Sequence, residues 1–243
     1  MIALFKRELT VFFSSVTGAL VVSVFLLLTG LFLWLIPNEL NILYAGYASL
    51  DSLFYIAPWV YLFLVPAVTM RFFADEKKMG TLDMLMTRPV SPMQIVSAKF
   101  MAGLSVVIIS LVPTLIYVFS VYQLGLPVGN MDMGGTWGSY IGLLFLAAVY
   151  VSIGVFASSL TENQIVAFVL AVLLAFMFYD GFDTLASLPA LENYRELISY
   201  LGIDSHYRSL SRGVIDSRDL VHLTSLVFFF LYLTKLSLLR NKR

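Results

Sequence analysis

Six long apolar stretches divided by polar breaks set the pattern of this chain: Thr17–Ile36, Ser52–Met70, Phe100–Tyr122, Trp137–Ala157, Gln164–Tyr179 and Asp219–Leu239. A spanning helix needs about 20 mainly apolar residues, so the pattern predicts an all-α integral membrane protein with six transmembrane helices. The fifth stretch has only 16 residues, which at 1.5 Å each covers about 24 Å of a roughly 30 Å hydrocarbon core. Two readings remain open for it: an ordinary helix that ends a little later, which is the simpler one, or a broken or re-entrant element continuing into Thr184–Leu191. The first stretch is too long for a signal-peptide core, and no small-residue cleavage site precedes Trp34, so it is expected to stay.

Polar segments between the spans carry the remaining local signals. In residues 1–15, Ile2, Phe5, Leu9, Phe12 and Phe13 recur at helical spacing while Lys6, Arg7 and Glu8 take the other side, the pattern of a helix lying in the membrane interface. Ser14, Ser15 and Gly18 would ease its bend into the first span. Arg71 to Lys99 is the only long charged insert in the first two thirds of the chain. It runs from Asp75 and Glu76 through Lys77 and Lys78 to Gly80, then a short amphipathic run Thr81–Met86, then Pro89. A small helix held at the membrane surface in this way is a place for a soluble partner to push. Ser91-Pro92-Met93-Gln94 supplies an N-cap hydroxyl, proline at the first helical position and a capping-box partner for the third span, with Lys99 expected to snorkel back to the interface. Thr161 to Gln164 is expected to repeat the device after the tight turn Ser158–Asn163, which makes the fourth and fifth spans adjacent and antiparallel.

Pro66 and Pro113 lie inside spans and predict kinks. Gly138 with Gly142, and Gly154 with Ser158, place small residues four apart and permit close helix contact. The connection Asp180–Arg218 predicts an ordered cap rather than a tail. Leu191–Leu201 reads as an amphipathic helix with Leu191, Tyr194, Leu197, Ile198 and Leu201 on one face, His206–Arg212 as a second helix ended by Gly213, and Asp216 to Asp219 as the cap of the last span.

Lysine and arginine fix the orientation. With the N-terminus inside, eleven basic residues, Lys6, Arg7, Arg71, Lys77, Lys78, Arg88, Lys99, Lys235, Arg240, Lys242 and Arg243, face the cytoplasm, against four, Arg195, Arg208, Arg212 and Arg218, outside. Both termini are therefore expected on the cytoplasmic side. The chain is 60% hydrophobic and 12% charged with mean hydropathy +0.90, half the charge of an ordinary soluble domain at about 25%. Net charge is zero, which gives no pull toward nucleic acid, and the absence of cysteine removes disulfides, cysteine-ligated metals and cysteine nucleophiles.

Candidate chemistry is sparse. No span carries an acidic residue in its interior, which argues against a carrier coupled to protons or sodium. No metalloprotease, nucleophile-elbow or phosphate-loop motif occurs, so no cofactor is expected on this chain and energy must arrive from elsewhere. His206 and His222 could form a metal site with Asp204, Asp216 or Asp219, but isolated histidines in such a loop are far more often hydrogen-bonding surface residues. Trp34, Trp137, Tyr122 and Tyr179 fit an interfacial aromatic belt; Trp59 does not, and bundle core or pore lining are both open for it.

Six spans, an interfacial helix and the segment Glu76-x-x-x-Gly80-Thr81-Leu82-Asp83-x-Leu85-x-x-x-Pro89-Val90-Ser91 resemble ABC transporter permeases of the type-2 exporter class. The turn Ser158-Ser159-Leu160-Thr161-Glu162-Asn163-Gln164 is similar to that family's second cytoplasmic signature, and Ser211 to Leu220 to its connection before the last helix. Within the class, Leu188 to Arg195 and Ser205-His206-Tyr207 look most like the gliding-motility-associated permease, the F subunit of the Gld system. The resemblance implies a single permease domain over residues 1–243, a homodimer, a separate cytoplasmic ABC ATPase that holds the ATP and magnesium, and a mostly periplasmic G-type subunit. It also implies a coupling helix at Gly80–Met86, with Thr81, Leu82, Asp83, Leu85 and Met86 docking into the ATPase and Glu76, Lys77 and Lys78 flanking it. Ser158, Ser159, Thr161, Glu162 and Asn163 would form a smaller second contact, and Tyr194, His206, Arg208 and Arg212 would face a periplasmic partner. An alternative from another class is a scaffold that transports nothing and acts mechanically on that partner.

Overall fold

The structure, a computed structural model, describes residues 2–87 and 89–240; Arg88, Lys242 and Arg243, counted above among the cytoplasmic basic residues, lie outside the described residues. Among the described residues there are thirteen α-helices and a few tighter or wider helical turns. Helix α1 (Ile2–Phe13) turns at Ser14 and Ser15 into α2 (Val16–Gly30), which ends in a π-helical turn, Leu31–Leu35. Next come α3 (Asp51–Thr69), α4 (Arg71–Lys78) and α5 (Thr81–Met86). α6 (Pro92–Leu111) and α7 (Leu115–Leu124) are joined by the 3-10 turn Val112–Thr114, where Pro113 removes a backbone donor. α8 (Met133–Leu160), α9 (Gln164–Phe176), α10 (Phe182–Ala186), α11 (Arg195–Leu201), α12 (Ile203–Leu210) and α13 (Ser217–Arg240) follow. Among the described residues six helical stretches are long and apolar enough to cross a membrane, and the chain is an all-α multi-pass membrane protein.

Local chemistry accounts for several helix ends. Ser91 Oγ accepts from the Gln94 amide while the Gln94 side chain accepts from the Ser91 amide, so the expected capping box is present. The start of α9 differs from expectation. Asn163, not Thr161, is its cap and accepts from the Ile165 amide, while Thr161 Oγ1 accepts from the Asn163 amide. Asparagine competes well for this position because its short carbonyl reaches the first free amides. The fifth span keeps its helical course through the wide turn Met177–Gly181 to Ala186, 23 residues in all, or about 34 Å. It is neither broken nor re-entrant. The second span likewise runs on, with α4 extending α3 almost without a break, so Arg71–Lys78 prolongs a membrane helix instead of forming a separate surface piece.

α8 is the central helix, packed against α3, α4, α6, α9, α12 and α13. Its buried face includes Leu143, Leu146, Ala147, Tyr150, Val151 and Ile153, and it meets Phe54, Tyr61, Val65, Val106 and Val107 in one continuous core. α9 meets this core through Ala167, Ala171 and Ala175, a stripe at four-residue spacing, and turns Ile165, Val169 and Leu173 outward. The glycine spacing on α8 also serves close approach. Gly138 lies on Gly213, Gly142 on Leu210, and Gly154 directly against the Thr69 side chain.

Connections at the end opposite the N-terminus differ from expectation in two respects, the first being that α12 runs over Ile203–Leu210 rather than His206–Arg212. The Leu191–Leu201 stretch splits into a 3-10 turn, Pro189–Tyr194, and α11, and its apolar face is not packed: Tyr194, Leu197 and Leu201 are exposed. Of the aromatic belt, Tyr179 is buried with its ring edge-on to Trp59, centroids 5.6 Å apart. Substituting Gly154 with valine is expected to force α8 from α3 and lower stability by about 2 kcal/mol, read as a lower thermal midpoint in detergent with Gly134→Ala as a control at a roomier site.

Candidate functional site

The end of the bundle that carries the N-terminus brings together three segments distant in sequence: α1, the α3–α4–α5 run, and the turn between α8 and α9. Two devices hold them. The first is Ser158. Its Oγ accepts from the Phe73 and Ala74 amides at 2.9 and 3.2 Å and donates to the Met70 carbonyl at 3.0 Å. One buried hydroxyl thus satisfies the backbone at the α3–α4 joint, where the helical ladder is interrupted and free amides need a partner. The neighbouring Ser159 carbonyl accepts from Lys77 Nζ and from Ser237 Oγ, the latter at 3.0 Å, and Gln164 donates its amide to Asp75.

The second device is an ion cluster centred on Lys99. Its Nζ donates to the Phe72 carbonyl at 2.6 Å and lies 3.2 Å from Glu8 and 3.1 Å from Glu76, over the Phe73 ring at 5.0 Å. Arg7 Nη2 reaches the same two carboxylates at 2.6 Å each. Burial works against the Arg7 guanidinium, yet its hydrogen bonds and charge attraction to Glu8 and Glu76 prevail and hold its pKa above the ordinary value. Lys99 is only 1% exposed, so it does not snorkel. A buried ammonium is costly unless paired, and here α1 and α4 each deliver a carboxylate, locking both onto α6.

These contacts revise where the sequence-derived docking residues sit. Glu76 is buried in the ion cluster, and Lys77 is half-buried with its ammonium on Ser159. Leu82 and Leu85 point inward and are 6% and 7% exposed. On a two-turn helix at a membrane bundle, the apolar positions three apart face the bundle's own core. Met86 is half-buried against that core, while Lys78, Gly80, Thr81 and Asp83 are exposed. Gly80 carries φ of 65°, the left-handed conformation that lets the chain reverse from α4 into α5. Met79 and Met84 are 66% and 71% exposed and face outward, a feature that the amphipathic pattern, which directs attention to the leucines, does not announce. Ser158 and Ser159 are consumed by internal bonds. Thr161 is half-buried, and Glu162 and Asn163 are exposed.

At the opposite end the four singled-out residues also separate. Tyr194, Arg208 and Arg212 are exposed, whereas His206 is 2% exposed and belongs to the interior. Its Nδ1 meets Asp219 at 2.7 Å, its Nε2 the Tyr200 carbonyl at 2.9 Å, and its ring stacks on His222 at 4.0 Å. With both nitrogens of His206 engaged, it has none left to ligate a metal, and no metal-holding group of three or more His, Asp or Glu side chains occurs among the described residues. A cavity of about 610 Å³ opens beside this cluster between Trp59, Tyr179, Asp180, Asp204 and Tyr207. Burial pushes the Asp204 carboxyl above its usual range, against the pull of the Arg208 hydrogen bond, and Tyr207 Oη donates to the Phe54 carbonyl at 2.8 Å.

Replacing Lys99 by methionine leaves two carboxylates without their central cation and is expected to cost about 3 kcal/mol. The double change Lys99→Met with Glu8→Gln should cost less than the sum of the two single changes, because the partners compensate each other. Thermal unfolding of the four proteins of that cycle in detergent reads both effects.

No curated protein matches the chain. The family described as ABC-2 family transporter protein does: its model matches residues 9–239, nearly the whole length. Six helical stretches long and apolar enough to span, among the described residues, are consistent with that match, and the chain belongs to the ABC-2 transporter family, as the membrane permease subunit of an ABC system.

Proposed function

We propose that this permease takes up motion from a separate cytoplasmic ABC ATPase through the end of the bundle built by α1, α4, α5 and the α8–α9 turn. The partner ATPase holds the ATP and magnesium, both termini lie in the cytoplasm, and the membrane is a bacterial inner membrane. The observation that carries this reading is the Ser158 clamp with the Lys99 cluster. A push on α5 enters α4, and α4 is bonded to α1, α6 and α8, so the force reaches membrane helices without being absorbed by a hinge. The uneven distribution of basic residues supports the orientation. The docking surface is the outward side of the segment, Lys78, Met79, Thr81, Asp83 and Met84, with Glu162 and Asn163 beside it. Leu82 and Leu85 act from behind by anchoring α5. A second copy completes the transporter as a homodimer. Leu188–Arg195 and Ser205–Tyr207 support a narrower placement in gliding-motility machinery.

A second reading rests on one observation at the other end. Tyr194, Leu197, Tyr200 and Leu201 are each more than half exposed on a connection outside the spans. In this reading the cap between Asp180 and Arg218 engages a periplasmic subunit, and the ATP-driven motion works on that partner rather than on a solute.

Met79→Asp with Met84→Asp is expected to weaken co-purification of the ATPase by about tenfold or more while leaving the thermal midpoint of the permease unchanged. Leu82→Asp or Leu85→Asp should instead lower that midpoint, since each buries a charge. Undiminished ATPase recovery with the methionine pair would refute the docking surface. Leu197→Asp with Tyr194→Ala should release a periplasmic partner and spare ATPase recovery.

A further inference from the structure

The cavity of about 610 Å³ between α3, the wide turn Met177–Gly181 and α12 falls within the size range of small-ligand pockets. One wall is aromatic. Asp51, Tyr55 and Trp59 follow one another at four-residue spacing and so share a face of α3. All three line the cavity and are exposed, Tyr55 at 65% and Trp59 at 37%. Tyr179, edge-on to Trp59, and Tyr207, tilted at 56° to Tyr179, continue this wall with rings set at several angles.

The charged lining is unbalanced: Asp51, Asp180 and Asp204 stand against Arg208 and Arg212. Arg208 is committed to Asp204 at 2.5 Å, and Arg212 is exposed on the side shared with a smaller cavity that Asp132 also lines. Asp180 accepts from the Thr184 hydroxyl at 3.1 Å, and neither Asp51 nor Asp180 has an ion pair among the described residues. Burial is the largest influence on the Asp204 carboxyl and raises its pKa; Arg208 pulls it down, and the charges of Asp183 and Asp180 add to the rise. A hard metal ion asks for several converging oxygens, and no metal-holding group of three or more such side chains occurs among the described residues. Aromatic faces beside unpaired carboxylates suit a different cation, one that is bulky and weakly hydrated. We propose that this cavity binds an alkylated organic ammonium ion, its charge balanced by Asp51 and Asp180 and its alkyl groups against Tyr55 and Trp59. The inference goes beyond the proposed ATPase coupling and does not rest on it.

Calorimetric titration of the full chain in a neutral detergent tests this. The probe is benzyltrimethylammonium, with benzyl alcohol and benzenesulfonate as its neutral and anionic counterparts. The cation is expected to bind at one saturable site per chain, at least about tenfold tighter than either counterpart. Tyr55→Leu and Asp51→Asn, both at exposed positions, should each weaken binding about fivefold or more without moving the thermal midpoint. Trp59→Phe, which keeps an aromatic face, should retain most of the affinity that Trp59→Leu loses. Potassium chloride at the concentration of the probe should not displace it. Equal binding of benzyl alcohol or benzenesulfonate, displacement by potassium, the absence of a saturable site, or full affinity in both Tyr55→Leu and Asp51→Asn would each overturn the assignment.

Discussion

An ammonium group buried as completely as that of Lys99 must be met by negative partners, and the rest of this end of the molecule follows from how they are supplied. One carboxylate comes from α1, one from α4, and a carbonyl from Phe72. The partners lie on two elements, α1 and α4, so pairing them with Lys99 on α6 fixes three elements in relation to one another. Arg7 closes the set by bridging the same two carboxylates from the solvent side. Surface ion pairs contribute little, but this cluster sits over the Phe73 ring with Lys99 1% exposed. There, removing one member costs more than the whole set contributes relative to an apolar replacement. Such a cluster specifies geometry more than it adds stability.

Ser158 plays the complementary part on the other side of α4. α3 and α4 form nearly one helix, and at Met70 their ladder is interrupted. A single hydroxyl from α8 accepts from two amides and donates to one carbonyl across that joint. The close contact of Gly154 with Thr69 one turn earlier brings α8 near enough for this. The small residues on α8 therefore have a reason beyond general packing, for they set the distance at which Ser158 can work.

Sequence alone was informative where the physics is local. Hydropathy located all six spans, the Ser91–Gln94 box appeared as read, and Thr81–Met86 is a helix with the expected bounds. It failed where a contact joins distant residues. Lys99 looks like a snorkelling lysine because nothing nearby in sequence announces Glu8 or Glu76, which lie 91 and 23 positions away. His206 looks like a surface residue because its stacking partner, His222, is in another helix. Leu82 and Leu85 show correctly that α5 is amphipathic, but amphipathicity does not say whether the apolar side meets a partner or the chain's own core. Only their 6% and 7% exposure decides that. The run-on of the fifth span into α10 was left open by its length, because Asp180 and Asp183 interrupt the apolar run without breaking the helix.

The central claim is that α1, α4 and α5 form one mechanical body clamped to α8. Amide hydrogen exchange on the intact permease tests it most directly, comparing the natural protein with Ser158→Ala. The account predicts that Phe73 and Ala74 lose protection and that the amides of α1 and α5 lose it together with them. Loss confined to Phe73 and Ala74, with α1 and α5 exchanging as before, would contradict it.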